Sequence, residues 1–144
     1  MIASRMSFLG LPLGAAYGVS KRALVAYADA LRAEYGTHVG VSCVHPAYVR
    51  TPIHDTTREA GLRLEGFSRE EPLERVIAAI VRAAEAPAAP RDVAVTRGGA
   101  LQIAVARHLP GVVDRVVARR LAKSLAAGDL DGAELAAGLR DRHR

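Results

Sequence analysis

Apolar and polar positions follow two different periods along the chain, and the changes of period mark its elements. Over residues 15–35, apolar side chains recur at Val19, Ala23, Leu24, Tyr27, Ala28 and Leu31. That three-and-four spacing is the mark of a helix face. No proline interrupts it, Gly18 is its weak point, and Gly36 stands where a helix-ending glycine is expected. The period then shortens: residues 39–44, VGVSCV, are few and β-branched and predict a strand. Residues 45–52 are a proline-bounded loop. Residues 53–68 are polar with Gly61 and Gly66, which suits a lid or short helices. A helix is expected over 70–86, with acidic residues at its start that suit the helix dipole, and Pro72 in its first turn. After a proline-rich stop at 86–90 come a short strand over 92–96 and helical sequence from Gly98 onward, broken at Pro110-Gly111. Residues 112–125 predict a further amphipathic helix, and the end beyond Gly128 is short, polar and Ala-rich.

A helix that feeds a buried strand is half of a βαβ unit and implies a parallel sheet. Residues 1–4 are apolar and suit the last residues of a preceding strand, with a loop over 5–14 that carries Gly10, Pro12 and Gly14. The expected class is therefore α/β. Residues 1–99 form the sheet-bearing part, and residues 100–144 form a helical, basic, amphipathic tail.

Composition narrows the classes without choosing a function. A chain of 144 residues fits one compact domain, and half of its residues are hydrophobic with only 4% aromatic, so its core is aliphatic. The net charge is +5, from 20 basic and 15 acidic residues. Residues 1–100 hold 12 basic and 10 acidic side chains and residues 101–144 hold 8 and 5, so the excess leans toward the tail. No basic run is interleaved with aromatics, and nucleic acid is not an expected partner. Cys43 is the single cysteine, which rules out a disulfide framework within the chain and suits a cytoplasmic setting. The first residues lack the pattern of a signal peptide, and no apolar run approaches the ~20 residues needed to cross a bilayer.

Tyr17 and Lys21 lie four residues apart on the first predicted helix, which puts them on one face, one above the other. An ordinary phenol, with a pKa of about 10, exchanges its proton poorly near neutrality, and a neighbouring ammonium favours the phenolate. The pair is a candidate proton donor and acceptor, although chance places Tyr-x-x-x-Lys in many proteins. Tyr27 and Tyr35 share the helix but have no lysine four positions on, so they read as packing residues. His45, His54 and Cys43 form no ligand-like spacing, no metal is expected, and Cys43 reads as a small buried apolar residue.

Three features then fall in order. Ser4 precedes Tyr17 by thirteen positions at the end of the expected first strand; YGVSK occupies 17–21; and PAYVRT occupies 46–51 after the next strand. With YGVSKRALVAYADAL over 17–31, the chain resembles the short-chain dehydrogenase/reductase family, in the catalytic, C-terminal half of its domain. The resemblance implies a partial Rossmann-like, doubly wound parallel sheet. It also implies an NAD- or NADP-dependent oxidoreductase that moves a hydride between nicotinamide and a carbonyl or alcohol, a small-molecule substrate. By resemblance, Ser4 holds the substrate oxygen, Tyr17 gives or takes its proton, and Lys21 favours the Tyr17 phenolate and bonds the nicotinamide ribose. Pro46, Ala47, Val49 and Thr51 line the nicotinamide, Val49 through its backbone. Ser7 is a rival to Ser4, and Thr51 has a plain alternative as a cap for the next segment. Ala47 stands where the family usually has glycine.

The strand, Gly-rich turn and helix that receive a dinucleotide's pyrophosphate are not found in the sequence, and the family's helix Asn would lie upstream. The expectation is a catalytic half without its cofactor platform, with a non-catalytic remnant acting as an interaction or membrane-surface module as the competing reading. In the tail, Val112, Val113, Val116, Val117, Leu121 and Leu125 form one stripe, with Arg115, Arg119 and Lys123 on another face and Arg120 at the edge. Such a basic amphipathic helix suits an anionic membrane surface, packing on the body, or contact with a second subunit in a homo-oligomer.

Overall fold

The computed structural model describes residues 1–10, 12–55, 59, 70–131, 133 and 136–142. The lid segment expected over 53–68 lies mostly outside them. The first long element is helix α1, Ala15–Tyr35. Its start is set by a turn in which Leu13 takes a left-handed φ of 64°, a conformation that costs a bulky residue about 1–2 kcal/mol. Val25 and Ala28 are its buried positions. Tyr27 and Tyr35, read as packing residues, are instead 58% and 52% exposed: Tyr27 lies off the Val25–Ala28 face, and Tyr35 is the last residue of the helix. Gly36 does close the helix, but with a right-handed φ of −61°. Its need for glycine is steric: an added Cβ would run into the Arg32 carbonyl oxygen.

Strand β1, Cys43–His45, pairs in parallel with β2, Asp92–Ala94, in the register Cys43 to Asp92, Val44 to Val93 and His45 to Ala94. The strand expected over 39–44 is thus shorter at its start and longer at its end. The His38 and Val39 amides both donate to the Tyr35 carbonyl at the helix end, and Arg32 Nε donates to the Val41 carbonyl at 2.8 Å. Residues 38–41 therefore spend their backbone groups on α1, and the ladder begins where Cys43 N–H reaches the Arg91 carbonyl. Residues 1–5 run along the other side of β1. Val44 N–H donates to Met1 O, Ala3 N–H to Val44 O and Arg5 N–H to Pro46 O, with a parallel bridge between Ile2 and Val44. The described residues thus show a mixed α/β structure with a two-stranded parallel sheet and this flanking bridge.

Helix α2, Leu73–Glu85, starts three residues later than its pattern suggests. Glu70 pairs with Tyr48 in a parallel bridge, Glu71 N–H donates to the Tyr48 carbonyl at 2.8 Å, and Pro72 is extended with ψ 138°. Backbone pairing has claimed the residues that propensity alone would make helical. Val76, Ala79 and Ala83 recur at three and four and are buried. Ala79 and Ala83 meet Val44 in one core cluster, with Val93, Val95 and Ile80 packed against it. Side chains of a strand alternate between faces, so Val44 and Val93 face α2 while His45 and Asp92 share the opposite face.

Helix α3, Arg97–His108, is capped by Thr96, whose Oγ1 accepts from Gly99 N–H at 3.1 Å. Helix α4, Pro110–Ala126, follows with Pro110 in its first turn. It ends in a Schellman arrangement: Gly128 is left-handed at φ 74°, Asp129 N–H donates to Ser124 O and Gly128 N–H to Leu125 O. A short helix α5, Ala137–Arg142, returns beside it. Leu121, Leu130, Ala133 and Ala136 form a second core cluster with Leu125 and Leu139 against it. The Arg140 guanidinium donates to the Leu130, Asp131 and Ala133 carbonyls. No helix among the described residues is long and apolar enough to cross a membrane.

Candidate active site

The candidate chemistry gathers where residues 1–8 pass between α1 and β1. Ser4 is buried and caps a 3-10 turn over Arg5–Ser7, its Oγ accepting from Met6 N–H at 3.2 Å. Accepting at a lone pair leaves the hydroxyl proton available as a donor. Ser7 points to α1, where its Oγ donates to the Lys21 carbonyl at 3.1 Å. Tyr17 is 37% exposed on the first part of α1. The Lys21 ammonium stands 5.6 Å from the Tyr17 ring centroid and donates to the Ile2 carbonyl at 3.3 Å. One ammonium therefore touches both the phenol ring and the backbone two residues before Ser4, because a four-residue step on α1 faces the strand-like start of the chain.

Pro46, Ala47, Val49 and Thr51 lie in one connection leaving β1. The Pro46 carbonyl accepts from Arg5 N–H, directly after Ser4. Thr51 Oγ1 donates to the Val49 carbonyl at 3.5 Å, and Thr51 precedes a 3-10 turn over Pro52–His54 without capping it by its side chain. Ala47 N–H donates to Glu71 Oε2 at 2.8 Å. The start of this connection thus adjoins the Ser4 turn.

Several residues that sequence reasoning passed over support this place. His45, assigned to a loop, is a fully buried strand residue. Its Nε2 lies 2.8 Å from Asp92 Oδ1 and its Nδ1 lies 3.3 Å from the Ser4 carbonyl. The register explains the pairing, since Asp92 opposes Cys43 and so projects on the His45 face. Arg107 adds a 2.8 Å contact to Asp92 Oδ2. Burial pushes the Asp92 carboxyl up, but the His45 hydrogen bond and the charges of Arg107, His45 and Arg32 outweigh it and hold the group below the ordinary carboxylate value. Phe8 packs on His45 with ring centroids 5.1 Å apart, and the Arg22 and Arg107 guanidinium carbons lie 5.2 and 4.7 Å from the Phe8 centroid. The sequence signal for this cluster was a histidine at the end of a β-branched run, which periodicity cannot distinguish from a loop residue.

Glu71 was read as an acidic residue suiting a helix dipole. It is instead 4% exposed and paired with Arg5 at 3.1 Å. Burial lowers the pKa of the Arg5 guanidinium, and the Glu71 charge opposes that shift. No group of three His, Cys, Asp or Glu side chains stands together as a metal site among the described residues. In the tail, Val112, Val113, Val116 and Val117 of α4 face Leu101 and Val105 of α3 across a cavity of about 260 Å³. Part of the apolar stripe is thereby turned toward α3, although Val112 and Val116 remain 44% exposed.

Residues 1–61 match the family model described as short chain dehydrogenase. A curated relative, a "Dehydrogenase/reductase SDR family protein 7-like" of Drosophila melanogaster, is 45% identical over 53 residues, which cover 36% of this chain and 16% of that protein. The chain therefore matches only about a sixth of that relative's length. No solved structure matches the chain significantly. Over residues 1–61, the chain is similar to the short-chain dehydrogenase/reductase family.

Proposed function

We propose that the chain carries the proton-transfer side of an NAD- or NADP-dependent oxidoreductase of the short-chain type, acting on a small carbonyl or alcohol substrate. On this reading its α/β part is one half of a doubly wound parallel sheet. The observation that carries the proposal is the Lys21 ammonium, which contacts the Tyr17 ring and the Ile2 carbonyl beside Ser4. A phenol, an ammonium and a serine hydroxyl are the groups needed to bind a carbonyl oxygen and move a proton at it.

The residues fit the nicotinamide end of the cofactor. Lys21 offers a charged donor beside a partly exposed phenol, and the 46–51 connection starts against the Ser4 turn. When bound, the nicotinamide supplies or accepts the hydride. Ser4 holds the substrate oxygen through its remaining hydroxyl proton. Tyr17 gives or takes the proton at that oxygen, and Lys21, its ammonium 5.6 Å from the Tyr17 ring centroid, bonds the ribose. Val49 and Thr51 orient the carboxamide. The cleft between α3 and α4 and the basic face of α4 are available to a substrate, a second copy or an anionic surface.

The test is turnover of the full-length protein with reduced nicotinamide and a panel of aldehydes and ketones. Tyr17→Phe is expected to lower kcat by about 10²–10⁴ with cofactor binding retained, the range for loss of a positioned proton donor. Equal turnover in the wild type and Tyr17→Phe would overturn the proposal and favour a binding module.

A further inference from the structure

Glu71 lies outside every motif that points to dehydrogenase chemistry, yet it touches both parts of the candidate site. Its Oε1 accepts from Arg5 Nη2 at 3.1 Å and from Thr96 Oγ1 at 3.4 Å, and its Oε2 accepts from Ala47 N–H at 2.8 Å. Its own N–H donates to the Tyr48 carbonyl at 2.8 Å. Arg5 follows Ser4 directly, and Ala47 and Tyr48 lie in the connection that the proposed reaction assigns to nicotinamide. A single buried carboxylate thus spans the substrate-holding turn, the cofactor connection and the cap of α3. Arg5 completes the span with Nη1 on Gln102 Oε1 at 2.6 Å.

A buried ion pair is a poor source of net stability, because desolvating two charges offsets most of their attraction, and apolar replacement is often neutral. What such a pair supplies is direction. Charge-assisted bonds are short and oriented, and three donors converging on one carboxylate fix their separations. Arg5 N–H to Pro46 O also joins the start of the chain to the 46–51 connection. An apolar pair at Arg5 and Glu71 would fill the space and leave Ala47 N–H undirected.

We propose that Glu71 is a positioning residue that sets the distance between the Ser4 turn and the cofactor connection by holding Arg5 and Ala47 N–H on one carboxylate. The proposal rests on the dehydrogenase reading for what is being positioned, and its first readout needs no turnover. Amide hydrogen exchange at Ala47 is measured in the full-length protein and in two variants. The double variant Arg5→Met/Glu71→Leu removes the clamp without leaving a charge unpaired. Glu71→Asp keeps the charge on Arg5 but draws the carboxylate back from Ala47.

In both variants Ala47 exchange is expected to accelerate by more than about tenfold while Val44, bonded to Met1 O within the sheet, is unchanged. The KM for NADH or NADPH is expected to rise about tenfold with kcat falling by less than about threefold, because Ser4, Tyr17 and Lys21 are untouched. Ala47 exchange unchanged in a folded variant would overturn the inference. So would accelerated exchange with an unchanged KM. If the wild-type protein shows no turnover, the dehydrogenase reading fails, while the exchange data still decide whether Glu71 holds the connection.

Discussion

Residues 1–96 and residues 109–142 differ in how far along the chain their partners lie. In the first region Arg5 meets Glu71 66 positions away, and His45 meets Asp92 47 positions away. In the second, Leu121 packs with Leu130, Ala133 and Ala136 around one glycine-capped turn. Local contacts cost little loop entropy, whereas distant ones must repay a larger closure cost before they stabilise anything. Distant contacts do one thing that local ones cannot: they hold separate segments at fixed separations. The candidate chemistry sits in the first region, where Ser4, Lys21 and the 46–51 connection come from three stretches of chain.

The sharpest way to break this contrast is through the sheet core. Ala79 is fully buried beneath Val44, and Ala79→Asp is expected to cost more than about 3 kcal/mol by burying a carboxyl without a partner. Circular dichroism melting should show the loss of the main transition. A mutant that melts like the wild type would mean that α2 does not hold the sheet.

Next in size is Leu130→Ala in the tail, expected to cost about 2–3 kcal/mol for a buried leucine. Because the tail cluster is local, hydrogen exchange should rise in α4 and α5 and stay unchanged at Val44 and Cys43. Loosening of β1 by this change would show that the two regions are coupled.

Acid should act on the first region before the second. The folded Asp92 carboxyl lies below its ordinary value, so its contribution is complete above the unfolded pKa of about 3.9 and is lost as the pH falls through that value toward the folded one. Asp92→Asn is expected to flatten this part of the acid denaturation curve. An unchanged curve would remove Asp92 from the linkage.

The smallest effect is expected for Arg91→Ala. Arg91 reaches Asp29 at 2.7 Å, but the two side chains are 53% and 38% exposed. Such surface pairs contribute under about 1 kcal/mol, so the melting midpoint should hardly move. A large shift would show that distance along the chain, without burial, makes a contact strong.

Much of this was legible in the residues themselves. Helix α1 ran where its spacing placed it, α2 to within a few residues, and a parallel sheet followed from a helix feeding a buried strand. The Tyr17–Lys21 face follows from a four-residue step, which is local geometry. The start of α2, the late start of β1 and the burial of His45 and Glu71 were not legible. Each depends on a backbone or carboxylate partner supplied from another part of the chain: Tyr48 for Glu70 and Glu71, Arg32 for Val41, Asp92 for His45, Arg5 for Glu71.

By itself, then, the sequence determined the longer helices, the αβ order and the candidate proton-transfer pair, because period, capping and spacing are properties of neighbouring residues. Only the tertiary structure decided that Lys21 reaches the carbonyl before Ser4's own neighbour, that His45 is a buried strand residue, and that Glu71 ties the Ser4 turn to the 46–51 connection. Those outcomes depend on sheet register and on which charges are desolvated together, and both are set by segments far apart along the chain.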